Sequence, residues 1–168
     1  MYIQDDLNIH KSVFIAPNTD VVGKVSIGEN SSIWFQSVLR GDVDEIVIGQ
    51  NCNIQDSCVI HCVEGFPTKM GNNVSLGHGV ILHGCTLGNN VLVGMRATIL
   101  TGAIIGNNCL IAAGALVSEN MVIPDNSLVI GIPAKVKKEI NESQLKLINK
   151  TAENYIEYSR MYIKKYEK

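Results

Sequence analysis

Leu87-Gly88-Asn89-Asn90-Val91-Leu92-Val93-Gly94-Met95-Arg96-Ala97-Thr98-Ile99-Leu100-Thr101-Gly102-Ala103-Ile104-Ile105-Gly106-Asn107-Asn108 decides how this chain folds. An aliphatic residue returns every sixth position, at Leu87, Val93, Ile99 and Ile105, and the Gly-Asn-Asn corner returns after 18. Neither the 3.6-residue turn of an α-helix nor the two-residue alternation of a meander has that period. It belongs to a parallel β-helix, in which three six-residue stretches make one coil with three flat faces.

The same beat extends in both directions: Ile27, Ile33, Leu39; Ile48, Ile54, Ile60; Met70, Leu76, Leu82; then Ile111, Val117, Ile123 and Val129. Corners at Gly28-Glu29-Asn30, Gly49-Gln50-Asn51, Gly71-Asn72-Asn73, Gly88-Asn89-Asn90 and Gly106-Asn107-Asn108 are spaced 21, 22, 17 and 18 apart. The two longer gaps place extra residues at 40–47 and 61–69, expected as loops pushed out of the coil. Gly and Asn suit the corners because both tolerate positive φ. Two residues before each aliphatic stands a small one, among them Ser31, Ser37, Cys52, Cys58, Cys85, Ala97 and Cys109. Positions two apart in a strand face the same way, so this is a second inward slot. Four of the five Cys occupy it; Cys62 falls outside, at the start of a loop, and is expected to be reactive.

Composition agrees. The chain has 168 residues, 46% of them hydrophobic but only 5% aromatic, so its core is built from small aliphatic layers. A net charge of −2 gives no basic footprint for nucleic acid or an anionic membrane. The odd cysteine count, without a CxxC pair or a secretory apolar run near Met1, predicts a soluble protein of the reducing cytoplasm. Residues 1–134 hold 5 Lys/Arg against 11 Asp/Glu, and residues 135–168 hold 9 against 5. We therefore expect a β-helix body over 1–137 and an amphipathic helix over 138–168 packed on it. Leu145, Ile148, Ala152, Tyr155, Ser159, Tyr162 and Tyr166 share one helical face, and Asn141 with Gln144 has the spacing of a capping box.

A β-helix needs nothing polar at its coil positions beyond turn residues, so the polar residues of the middle coils are informative. Arg40, His61 and His83 each follow the third aliphatic of their coil and should stack in one column. Coils lie about 4.8 Å apart, close enough for His61 and His83 to ligate one ion. His78 has a different phase, on the second face with Gln55 and Asp56. A neighbouring copy could supply it if the second face of one subunit packs beside the third face of another, as in a closed trimer. Three imidazoles with one open position form the ligand set of a catalytic Zn²⁺, and Fe²⁺ or Co²⁺ also suits them. Arg40 pairs either with Asp42 in its own loop or, as an intersubunit clamp, with Asp56 of a neighbour.

The run Ser32-Ile33-Trp34-Phe35-Gln36-Ser37-Val38-Leu39-Arg40-Gly41-Asp42, then Asn53-Ile54-Gln55-Asp56 leading to His61, then Gly71-Asn72-Asn73-Val74-Ser75-Leu76-Gly77-His78 and His83-Gly84, resembles the gamma-class carbonic anhydrases, in particular their short bacterial branch. The resemblance implies a left-handed parallel β-helix, a homotrimer and a metal at each subunit interface. It implies that His61 and His83 come from one subunit and His78 from the next, that Arg40 and Asp56 pair between subunits, and that Asp42 supports the arginine. It also implies that Gln55 hydrogen-bonds the reacting water and that Tyr155 stands near the site. Glu64, three residues after His61, matches the family's proton-shuttling loop glutamate; Val43 replaces a second one, with Asp44 and Glu45 close by. The expected activity is reversible hydration of CO₂ to bicarbonate, with a metal lowering the pKa of its water to about 7. Two rivals stand beside it. One is acyl transfer from an acyl-CoA, whose enzymes end their coils with stretches resembling Ile130-Gly131-Ile132-Pro133-Ala134-Lys135; the other is a metal-binding trimer with little turnover.

Overall fold

Residues 6–166 are described by a computed structural model. The six-residue beat becomes a left-handed parallel β-helix of about 7 turns. Its first face starts at Asp6–Ile9 and climbs through 24–27, 46–48, Thr68–Met70, Thr86–Leu87 and Ile104–Ile105 to Val122–Ile123. The second climbs from Phe14–Ile15 through Ser32–Ile33, Asn53–Ile54, Ser75–Leu76, Leu92–Val93 and Leu110–Ile111 to Ser127–Gly131. There the antiparallel strand Ala134–Glu139 turns back on the last coil and closes the sheet. The third face carries 20–23, 38–41, Val59–His61, Ile81–His83, Thr98–Ile99 and Leu116–Val117.

Every aliphatic of the sixth-position series is at most 4% exposed, and so is every small residue of the second slot. Burial of such stacked Ile, Leu and Val side chains contributes about 1.5–3 kcal/mol each and dominates stability. The corners divide their work between two residue types. Asn30, Asn51, Asn73, Asn90, Asn108 and Asn126 adopt φ of 54–59°, and their amides hydrogen-bond from coil to coil at 2.9–3.4 Å. Before all of these but Asn126, the glycine two residues earlier has ordinary φ and is needed for close stacking instead: a Cβ on Gly28 would stand 2.7 Å from the Gly49 carbonyl carbon.

The stretch 40–47 differs from the expected loop. It belongs to one strand, Val38–Ile48, that turns a corner and pairs with Asp20–Ile27 below, absorbing its extra residues in a register shift between Gly23 and Val25. Alternating apolar residues keep it in the ladder: Leu39, Ile46 and Ile48 all point inward. The stretch after His61 does leave the coil, in a tight turn closed by Phe66 N–H to the Val63 carbonyl at 2.8 Å.

The C-terminal helix, Glu142–Tyr166, lies along the second face of its own chain. Its capping box forms in both directions: Gln144 N–H to Asn141 Oδ1 and Asn141 N–H to Gln144 Oε1, each 2.9 Å. Ile148, Ala152 and Ser159 are buried beneath it, and Trp34 meets Tyr155 and Tyr162 edge-on at 5.3 and 5.1 Å. No helix among the described residues is long and apolar enough to cross a membrane.

Candidate metal centre

Strand register sets the site. On the third face Arg40 pairs with His61 and His61 with His83, so the three side chains form the expected column. His61 Nδ1 faces His83 Nε2 at 3.3 Å. Two nitrogens bound to one tetrahedral zinc at 2.0–2.1 Å lie about 3.3–3.4 Å apart, so the gap has the width of a shared cation.

The outer nitrogens are held as well. His61 Nε2 lies 3.0 Å from Asp42 Oδ1, and His83 Nδ1 lies 2.9 Å from Thr101 Oγ1. A carboxylate only accepts, so Asp42 holds the proton of a neutral His61 on Nε2 and leaves Nδ1 as a lone pair. Thr101, whose hydroxyl can accept or donate, anchors His83 Nδ1 and leaves Nε2 facing the gap. Burial, then the neighbouring charges of His61 and Arg40, push His83 below the ordinary histidine range and outweigh the opposing pull of Glu119, which keeps its imidazole neutral. Burial acts to raise Asp42, but hydrogen bonds from Arg40 and His61 prevail and hold its carboxyl below the usual carboxylate range.

His78 sits on the second face, and its Nδ1 is held 2.9 Å from Asp56 Oδ2. Each of the three histidines thus has one nitrogen tied to an oxygen and one free to bind. Within one chain they do not converge: among the described residues no three His, Cys, Asp or Glu side chains form a group able to hold a metal. Arg40 pairs with Asp42 on its own strand, while Asp56 engages His78. Gln55 is 5% exposed and donates through Nε2 to Asn53 Oδ1 at 3.1 Å; Asn53 in turn donates to Ser75 Oγ at 2.7 Å. That chain fixes the Gln55 side-chain amide and leaves its Oε1 as an acceptor without a partner among the described residues. Burial, followed by the charge of Asp56, pushes Tyr155 up to about 12, so its hydroxyl stays a donor beside the second face. Glu64 is exposed on the turn and makes no ion pair or hydrogen bond among the described residues.

Comparison with known proteins places the chain in a family. The profile of the bacterial transferase hexapeptide family (six repeats) matches residues 84–119. Gamma carbonic anhydrase 2, mitochondrial, of Arabidopsis thaliana is 38% identical over 92% of this chain, which spans 58% of that protein. A Methanocaldococcus jannaschii protein named "Probable carbonic anhydrase" is 56% identical over 90% of this chain and 95% of its own length. The chain belongs to the gamma-class carbonic anhydrases. A solved hexapeptide transferase family protein from Anaplasma phagocytophilum superposes with a TM-score of 0.90 at 41% identity, covering 93% of this chain and 92% of its own.

In this gamma-class chain one thiol departs from its expected place. Cys62 is fully buried: its Sγ donates to the Asp44 carbonyl at 2.9 Å and accepts the Asp44 N–H at 3.2 Å, and burial pushes its pKa up. The turn leaves the coil only after Cys62, so that residue still points inward beneath the bend at Asp44. Three further residues were not singled out from the sequence. Thr101 follows Leu100, the residue one coil above His83, so it stands one position past the column; Asn53 and Ser75 occupy adjacent rungs of the second face.

Proposed function

We propose that this chain hydrates CO₂ reversibly to bicarbonate at a divalent metal held between subunits of a homotrimer. His61 and His83 come from one copy and His78 from the next. One observation carries the reading: all three imidazoles have one nitrogen held by Asp42, Thr101 or Asp56, and two of the free nitrogens face each other at 3.3 Å. Carboxylate or hydroxyl partners of this kind are what metal-ligating histidines require. Zinc suits the donor set, as do Fe²⁺ and Co²⁺. When bound, the metal supplies Lewis acidity that makes water a nucleophile at neutral pH.

The chain's own residues do the rest. Asp42 keeps the His61 proton on Nε2 while it pairs with Arg40. On assembly Arg40 reaches toward Asp56 of the neighbouring copy, which ties the clamp to the ligand that Asp56 positions. The side-chain Oε1 of Gln55 accepts a hydrogen bond from the reacting water and aims its lone pair at the CO₂ carbon. Tyr155 donates at the rim. Hydration consumes one water and one CO₂ and yields bicarbonate and a proton; Glu64 accepts that proton and passes it to buffer. Five unpaired, buried thiols suit a reducing compartment.

Acyl transfer shares the coil architecture, and a shared fold alone does not select a reaction. The test measures metal per subunit and CO₂ hydration with Zn²⁺, Fe²⁺ or Co²⁺ supplied, under air and anaerobically. Metal bound by trimers and lost on dissociation, together with hydration, is the expected result. Metal retained by a monomeric variant overturns the shared site, and metal-loaded trimers inert toward CO₂ leave the binding-only reading.

A further inference from the structure

The turn carrying Glu64 is exposed, yet it is tied down at several points. Thr68 Oγ1 donates to the His61 carbonyl and accepts the Gly84 N–H at 2.9 Å, which fixes the returning arm to both histidine strands. Phe66 lies across Gly84 and Gly102: a Cβ on either glycine would come within 3.1 and 3.3 Å of the phenylalanine side chain. The tip itself has a different anchor. Gly65, next to Glu64, donates its N–H to Asp44 Oδ2 at 3.1 Å, while Asp44 Oδ1 accepts the Glu45 N–H at 2.7 Å. The Asp44 backbone holds Cys62 Sγ from both sides, and Glu45 is braced by Lys69 at 3.1 Å and Lys24 at 3.3 Å.

We propose that Asp44 is a positioning residue that holds Glu64 at the edge of the metal centre by clasping the neighbouring Gly65 peptide. The inference rests on the reading of Glu64 as proton acceptor. Both Asp44 oxygens already accept main-chain N–H groups, so its carboxylate is committed to holding the turn. A proton acceptor on an unrestrained loop samples many positions, and transfer requires hydrogen-bond reach, directly or through one water. The clasp removes that freedom at the one turn peptide adjacent to the acceptor.

Asp44→Asn, backed by Asp44→Ala, separates the roles, because the amide keeps only one acceptor oxygen for the two N–H groups and alanine keeps none. In the metal-loaded, full-length protein, Gly65 amide exchange should quicken about tenfold or more, with metal content unchanged. At low buffer kcat should fall by about three- to tenfold, kcat/KM for CO₂ should hold, and imidazole should restore the rate. On a Glu64→Ala background, Asp44→Asn should cause no further fall, since both act through one group. Unchanged Gly65 exchange overturns the clasp, and if kcat nonetheless falls, Asp44 is itself an acceptor. Faster exchange with unaltered kcat, where Glu64→Ala alone slows the enzyme, overturns positioning. Glu64→Ala with no effect at low buffer fails the shuttle reading first and takes this inference with it.

Discussion

The coils above residue 84 and the coils between residues 20 and 83 use the same ladder to different ends. In the upper coils the second inward slot holds Cys85, Val91, Ala97, Ala103, Cys109 and Ala115, all at most 1% exposed, and corners recur without insertion. In the lower coils that slot takes Ser31 and Ser37, and the second face buries Asn53, Gln55 and Ser75. These polar residues are satisfied: Ser31 Oγ donates to the Gly49 carbonyl and Ser37 Oγ to the Gln55 carbonyl, each at 2.8 Å. Among the described residues no buried side-chain nitrogen or oxygen lacks a partner. A β-helix therefore accepts polar rungs where each finds a hydrogen bond on the next coil, and the cost of an orphaned group is avoided. The candidate metal centre sits where the repeat stretches, and the uniform coils continue the ladder above it.

That contrast is broken most sharply by paired substitutions. His83→Ala, in the working half, should abolish metal binding while leaving the fold, because this side chain is only half-buried and lies outside the core. Ile111→Ala, in the uniform half, should cost about 2–5 kcal/mol of stability and leave metal per folded subunit unchanged, since Ile111 is fully buried between the Val93 and Val129 rungs. Metal analysis beside thermal unfolding separates the two. A His83→Ala protein that keeps its metal, or an Ile111→Ala protein that keeps its stability, erases the distinction between the halves.

A smaller effect tests how the working half is supported. Asp42→Asn can still accept from His61 Nε2 but loses the charge that pairs with Arg40. Removing such an outer partner should weaken metal binding by about 10–100-fold, less than removal of a ligand. Competition with a chelator reads this directly, and an affinity equal to wild type means that Asp42 does not hold the imidazole.

How much of this was legible follows from what each residue depends on. The coil, its inward slots, the Arg40–His61–His83 column and the helix cap depend on spacing alone, and spacing is written in the sequence. The separation of His78 was legible for the same reason. Two features depended on backbone paths instead. Val38–Ile48 stays in the ladder because Ile46 and Ile48 resume the inward alternation, which a count of surplus residues conceals. Cys62 is buried because the bend at Asp44 folds over it, a contact between positions 18 apart. Thr101 lay one register step beyond the column and went unread because a threonine at a corner is unremarkable by itself.

A last effect concerns the thiols, and it joins both halves, because Cys52 and Cys58 lie in the lower coils and Cys85 in the upper. Burial pushes all three up to about 12 from an ordinary value of 9.0. Above pH 9 the unfolded chain loses thiol protons that the folded chain retains, so unfolding releases protons. Stability is then fully present below about pH 8 and declines as pH rises from 9 toward 12. Denaturant midpoints measured at about pH 8 and about pH 10 should therefore fall, and replacing the three cysteines by alanine should flatten the slope even as it lowers both midpoints. In the folded protein a thiol reagent should label all five cysteines, Cys62 included, no faster than the chain opens. Midpoints that do not change with pH, or Cys62 modified at the rate of a free thiol, would contradict the inward placement of these side chains.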